Sequence, residues 1–311
     1  MYSLRPARNS ERDVVAQLIY DSTNHWYESH GFGKIFQGDA EDCRVFFDVY
    51  EHLDPGCCLI AEDDDTGEII GSCFYRERPT HFSLGIMNSS PKAAGRKVAK
   101  TLLQKIVSLS RSAGKPLRLF SSAMNLDSYS LYNRQGFVPY AVYQDVLFTV
   151  PKSGLASESL HSESADNSEI RTATEDDLGR IVEFEQQVWG ISREKDWRYF
   201  LTDDSGIWQV LVCVRGEELV GVMASVRSAG CQMVGPGVST DSMAAARLIS
   251  RSLDRYRGSS VVVLIPSNDP SLIQSMYQLG GKNCELHFGQ SLGDAPTING
   301  VVVPSFLPES G

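Results

Sequence analysis

The chain repeats itself. Leu4-Arg5-Pro6-Ala7 is echoed by Ile170-Arg171-Thr172-Ala173, and each is followed by an acidic stretch of the kind that opens a helix. Glu68-Ile69-Ile70-Gly71 returns as Glu218-Leu219-Val220-Gly221, and residues 125–136 return in outline at 268–280. Three echoes in one order, at similar offsets, point to a duplicated domain. Between the copies, residues 151–168 read PKSGLASESLHSESADNS, too poor in large apolar side chains to offset the entropy of ordering. The organisation expected is therefore a domain over 1–150, a flexible linker over 151–168 and a second domain over 169–311. A length of 311 residues suits two cores better than one.

Within the first copy, residues 3–7 suit a strand and 10–27 carry helical periodicity at Val14, Leu18 and Ile19. A second helix is expected at about 40–52. Three strands follow, divided by the turn Asp65-Thr66-Gly67 and the break Arg78-Pro79. Then come a helix from Gly95 to about Ser112, a strand at 117–122, a helix in NLDSYSLYNRQGF (residues 125–137) and a strand at 139–149. The order βααβββαβαβ predicts an α/β fold: a mixed, mostly antiparallel sheet flanked by helices on both faces.

Composition narrows the function. A net charge of −10, with 39 acids against 29 bases, disfavours a general nucleic-acid binder, which needs clustered Lys and Arg. The seven cysteines show no CxxC or Cys/His spacing, so no metal site is expected, and Cys57, Cys58 and Cys73 read as core thiols in strands. MYSLRPARNSERD lacks the apolar centre of a signal peptide, and no run of about eighteen apolar residues occurs. A soluble, cytoplasmic protein without a membrane partner is expected.

Residues 85–106, GIMNSSPKAAGRKVAKTLLQKI, pass from a strand through a loop into a helix whose apolar face is Val98, Leu102, Leu103 and Ile106. Lys92, Arg96, Lys97 and Lys100 crowd the first turn of that helix, where unpaired N–H groups already make the field positive. Either the four side chains splay into water, or an anion such as a phosphate sits among them. GxxxxGK[ST] and GxGxxG are both absent, which removes support for nucleotide hydrolysis and for nicotinamide binding.

The element order, this strand-loop-helix and residues 125–137 together resemble the GCN5-related N-acetyltransferase (GNAT) superfamily. The acyl-CoA loop of that family matches at Pro91, Gly95, Val98, Ala99, Leu102 and Leu103 and departs at Ala94 and Lys97. Its later motif, N-x-x-A/S-x-x-L-Y-x-x-x-G-F, matches at Asn125, Ser128, Leu131, Tyr132, Gly136 and Phe137. The resemblance implies two tandem GNAT-like domains, with acetyl-CoA or another acyl-CoA as co-substrate. It places the co-substrate against Met87, Asn88 and Ser89, then Ala94, Gly95, Arg96, Lys97, Val98, Ala99 and Lys100, with Asn125 near the pantetheine. Tyr132 would be the general acid. A phenol, with pKa about 10, is still protonated at neutral pH and can protonate a departing thiolate.

An ammonium acceptor must lose a proton before it attacks, and Glu77 or His81 is the candidate base by position, with His25 and Glu28 a second set. His25, Trp26, Tyr27 and Phe32 suit either an acceptor-lining wall or plain packing. In the second copy the loop reads MVGPGVSTDSMAAARLI without a basic cluster, so a scaffold, lid or sensing half is expected there, and the pair could form an intramolecular pseudo-dimer. The function expected is N-acyl transfer, most simply acetyl transfer, to a small-molecule or protein amine in the first domain. The alternative is a non-catalytic acyl-CoA sensor or interaction module.

Overall fold

The structure, a computed structural model, describes residues 1–155 and 168–310. The first half runs β1 (Tyr2–Pro6), α1 (Arg12–Ser29), α2 (Arg44–Leu53), β2 (Cys58–Asp63), β3 (Ile69–Glu77), β4 (Phe82–Ser89), α3 (Val98–Ser112), β5 (Leu117–Ser122), α4 (Leu126–Arg134) and β6 (Val138–Thr149). The second half runs β7 (Ser168–Thr172), α5 (Leu178–Trp189), α6 (Glu194–Leu201), β8 (Trp208–Arg215), β9 (Glu218–Ser228), β10 (Cys231–Ser239), α7 (Ser242–Leu253), β11 (Ser260–Pro266), α8 (Pro270–Gln278) and β12 (Lys282–Leu292), then adds a short β13 (Val301–Val303). The order βααβββαβαβ therefore occurs twice. Residues 156–167, most of the expected linker, lie outside the described residues.

The sequence echoes have physical causes. A β-carbon at Gly71 would collide with Val98 of α3, and one at Gly221 would press on Leu248 of α7, so each glycine lets a helix lie directly on the sheet. The α3 helix starts at Val98 rather than Gly95. Gly95 (φ +80°) and Lys97 (φ +64°) are left-handed, a conformation that an α-helix of L-residues does not continue through. At the end of α4, Gly136 (φ +94°) turns the chain so that the Phe137 amide reaches back to the Tyr132 carbonyl at 3.2 Å.

One sheet runs through both halves in the order β1-β2-β3-β4-β5-β12-β6-β11-β10-β9-β8-β7, with β13 added beside β10. The last strand of each half is exchanged. β6 lies between β12 and β11, whereas β12 pairs with β5 from Leu117 to Ser122. Val146, Phe148 and Val150, on or just after β6, are each 1% exposed and pack in the core of the second half with Leu248, Leu272 and Met276. Burying side chains of this size contributes about 1.5–3 kcal/mol each.

On the other face α1, α2, α5 and α6 share one continuous core that includes Ile19, Phe46, Tyr50, Trp189 and Trp197. Asp196 of α6 is wholly buried there against Arg76 (2.7 Å) and Arg78 (2.5 Å) of the first half. Burial opposes its ionisation, but the two guanidinium groups outweigh burial and hold Asp196 below the usual carboxylate range.

Candidate functional site

The strands β4 and β5 run parallel but stay paired only at Phe82↔Leu117 and Ser83↔Arg118. Beyond these pairs they part. The register of β4 against β3 jumps from Tyr75↔Leu84 to Cys73↔Met87, so Gly85 and Ile86 together face the single residue Phe74. This extra residue is a β-bulge, which bends a strand away from its neighbour. Gly85 is required at the bend, because a β-carbon there would overlap the Tyr50 hydroxyl of α2. The result is a wedge in the sheet, closed at Phe82 and open toward Met87, Asn88 and Ser89. Asn88 ties β4 to α1 by donating to the hydroxyls of Ser22 (2.8 Å) and Thr23 (3.2 Å).

The loop after β4 leads to the N-terminus of α3. Ser90 caps a short turn at Pro91–Ala93, and the left-handed Gly95 and Lys97 then deliver the chain to Val98. Among the described residues no side chain caps α3, and its first turn has no acidic residue. Lys92, Lys97 and Lys100 are exposed around it, as is Ala94, while Val98 is buried and Ala99 half-buried. Uncapped amides and three ammonium groups make a site that suits an anion. Arg96 is held elsewhere: it pairs with Asp63 at 2.5 Å, donates to the Met1 carbonyl at 3.1 Å and covers the Tyr2 ring.

Tyr132 of α4 belongs to the same apolar cluster as Val98, Leu102 and Leu103, with its ring 5.8 Å from that of Phe137. Its hydroxyl makes no hydrogen bond among the described residues. Burial, then the neighbouring Cys73 and Glu309, push the phenol well above its ordinary range, so it is protonated at neutral pH. Asn125 is the N-cap of α4, accepting from the Ser128 amide at 3.0 Å.

Residues 19–137 match the acetyltransferase (GNAT) family. The N-terminal half is a GNAT-family domain. Membership implies an acyl-CoA co-substrate and an amine acceptor. Among solved structures, the chain is similar to a candidate acetyltransferase from Pyrococcus horikoshii (TM-score 0.74, 14% identity, covering 98% of this chain and 95% of that one). It is also similar to a GCN5-related N-acetyltransferase from Sphaerobacter thermophilus (TM-score 0.65, 16% identity, 96% and 97%). A tandem GNAT protein from the clavulanic acid biosynthesis pathway has the same arrangement (TM-score 0.63, 12% identity, 94% and 98%). At these identities the likeness is one of fold, and it extends over both halves. Comparison with curated proteins gave no match.

The second GNAT-like half has a wedge of its own, but the chain fills it. Strands β10 and β11 pair only at Met233↔Val262 and Val234↔Val263, and where they part, Val301–Val303 pair with Gly237–Ser239. Helix α7 is capped by Asp241, which accepts from the Ala244 amide at 2.8 Å. In the first half, among the described residues, no strand pairs with β4 beyond Ser83 on its β5 side and α3 is uncapped, so the two halves differ at both points.

The remaining sequence candidates are scattered. Glu77 pairs with Lys115 at 2.7 Å, and His81 is buried beside Thr80; both lie at the hairpin between β3 and β4, at the closed end of the GNAT wedge. Burial and then Arg118, Arg193 and Arg76 push His81 well below its ordinary range, which leaves it neutral. His25 and Glu28 are exposed on α1. Trp26, Tyr27 and Phe32 do cluster, with ring centroids 5.0–6.3 Å apart, and His30 stacks on Trp26.

Tyr27 also reaches across the halves to Glu285 of β12, at 3.2 Å. Glu285 accepts from Ser122 at the end of β5 as well, and burial raises its carboxyl above the ordinary value. Beside it His287 bonds to Asp145 of β6 at 2.8 Å; burial opposes the imidazolium, but Asp145 outweighs burial and raises the histidine. One ligand-type atom from each of Asp145, Glu285 and His287 falls within 4.8 Å of the others, yet all three side chains are already engaged in these bonds. Sequence reasoning missed this group because its members come from the two exchanged strands, Asp145 from β6 and Glu285 and His287 from β12, far apart in the chain. Among the described residues no helix is long and apolar enough to cross a membrane.

Proposed function

We propose that the chain is an acyl-CoA-dependent N-acyltransferase, most simply an acetyltransferase, whose chemistry occurs in the N-terminal half. The observation that carries this reading is the contrast between the two wedges: among the described residues no strand pairs with β4 beyond Ser83 on its β5 side, beside an uncapped, lysine-rimmed helix, whereas β13 pairs with β10 where the second wedge opens. On this reading the residues 169–311 support the active half rather than repeat it.

The thioester would lie in the wedge between β4 and β5, with the phosphates of its carrier at the α3 amides and near Lys92, Lys97 and Lys100. The acceptor nitrogen attacks the thioester carbonyl directly. As the carbonyl oxygen gains charge, a backbone N–H of the segment Met87, Asn88, Ser89 stabilises it. The C–S bond then breaks and Tyr132 gives its proton to the sulfur.

Ala94 and Lys97 depart from the family loop, and Arg96 is occupied by Asp63, which favours a weaker anion site and motivates the sensor reading. Calorimetry with acetyl-CoA followed by thiol release with a panel of amines separates the two. The transferase reading expects one acetyl-CoA bound per chain and turnover with at least one amine. Binding without turnover supports the sensor, and absence of binding overturns both.

A further inference from the structure

The wedge of the N-terminal half holds a carboxylate supplied by the last residues of the chain. After β13 the chain runs on to Ser310, and every residue from 304 to 310 except the half-buried Phe306 is buried. The tail is fastened to itself: the Ser305 amide donates to the Ser310 hydroxyl at 2.8 Å, and the Ser305 hydroxyl donates to the Pro308 carbonyl at 2.9 Å. It is also fastened to its surroundings. Phe306 lies on the ring of His287, with centroids 4.6 Å apart, and the Glu309 amide donates to the Tyr50 hydroxyl at 2.8 Å. That hydroxyl rests on Gly85, at the bulge of β4. From the opposite wall the Phe120 amide of β5 donates to the Glu309 carboxylate at 2.6 Å. Glu309 is thus held between Phe120 of β5 and Tyr50 of α2, the tyrosine whose hydroxyl lies against Gly85 of β4.

We infer that Glu309 is the general base of the N-terminal site, delivered in cis by the tail of the other half. This assignment rests on the acyl-transfer reading above. One carboxylate oxygen takes the Phe120 hydrogen bond, and the other has no hydrogen-bond partner among the described residues, leaving it available to accept a proton. Charged and titratable groups face it from several elements: Tyr50 from α2, Arg76 from β3, Tyr132 from α4 and Tyr140 from β6. Burial raises the carboxyl to about 8 against the smaller opposing effects of the Phe120 amide and Arg76, and a base near working pH is the effective kind.

The protons balance. The acceptor ammonium gives one proton to Glu309, and its freed lone pair forms the C–N bond as described. When the C–S bond breaks, the sulfur takes the Tyr132 proton; the nitrogen sheds its second proton to solvent, from which Tyr132 is reprotonated. Glu309 returns its own proton to solvent, and the third stays on the product amide.

The test uses the full chain, acetyl-CoA and a panel of primary amines that includes spermidine, tyramine and glucosamine. Glu309→Gln is expected to lower kcat by about 100-fold and to erase the rise of rate with pH, while leaving acetyl-CoA affinity within about twofold. Glu309→Asp should recover part of the rate and the pH dependence, which a merely structural role would not restore. Infrared difference titration of parent against Glu309→Gln follows the carboxyl even where a variant is impaired in folding, and a group titrating below about pH 6 overturns the assignment. An active parent with an equally active Glu309→Gln overturns the base and leaves the transferase standing. A faster enzyme on removal of residues 309–311 makes the tail a plug and also overturns it. No turnover by the parent with any amine overturns base and transferase together.

Discussion

Asp196 of α6 lies 2.7 Å from Arg76 of β3 with both side chains fully buried, so the two halves share a buried charge pair as well as a sheet. The same carboxylate binds Arg78 at 2.5 Å, and its removal would leave two guanidinium groups without it in the interior. Asp196→Ala is expected to destabilise the chain by about 3–5 kcal/mol, measured as a shift of the urea midpoint. A loss of less than about 1 kcal/mol would place the pair among contacts as weak as those on the surface.

Strand exchange makes a second prediction. Residues 1–150 expressed alone keep β6 but lose α7 and α8, which cover Val146 and Phe148, and leave β5 without β12. Those residues are expected to be insoluble or self-associated on their own, and to form a soluble complex when co-expressed with residues 169–311. A soluble monomer of residues 1–150 with cooperative unfolding contradicts this.

The three lysines around α3 and Arg96 should separate by function. Neutralising Lys97 and Lys100 together is expected to raise the dissociation constant of CoA on the order of tenfold, about 1.4 kcal/mol, with a much smaller effect on dephosphorylated pantetheine. Arg96→Gln should instead leave CoA affinity nearly unchanged, because its partner is Asp63. Calorimetry with both ligands checks this, and equal losses for CoA and pantetheine would remove the phosphate site.

Much of this was legible in the sequence. Gly71 and Gly221 mark close approaches of helix to sheet, and Gly136 marks a helix end, so the duplication and the element order followed from local residue chemistry. The left-handed Lys97 was not legible, since nothing in its side chain demands φ +64°, and the start of α3 moved by three residues on its account. Nor could the exchange be read. β6 and β12 each look like an ordinary last strand, and a strand's pattern names the face it buries rather than its neighbour. Glu285, His287 and Glu309 reach the site only through that exchange and the tail that follows it, so no motif near Tyr132 announces them.

Glu309 gives stability a pH dependence with a definite sign. Its carboxyl is raised from an ordinary 4.5 to about 8, so between these values the native state keeps a proton that the unfolded chain has released. The associated stability is full below the lower value and is lost as pH rises through the upper one. Urea unfolding from about pH 5 to 8 is therefore expected to show the parent falling relative to Glu309→Gln. Parallel curves would mean that this carboxyl titrates normally.

The most direct measurement pairs acetyl-CoA calorimetry with thiol release for Tyr132→Phe, once an accepting amine is found. If the phenol protonates the departing sulfur, the variant loses about 100-fold in kcat while binding acetyl-CoA as tightly as the parent. A variant as fast as the parent would contradict acyl transfer assisted by Tyr132 in the wedge between β4 and β5.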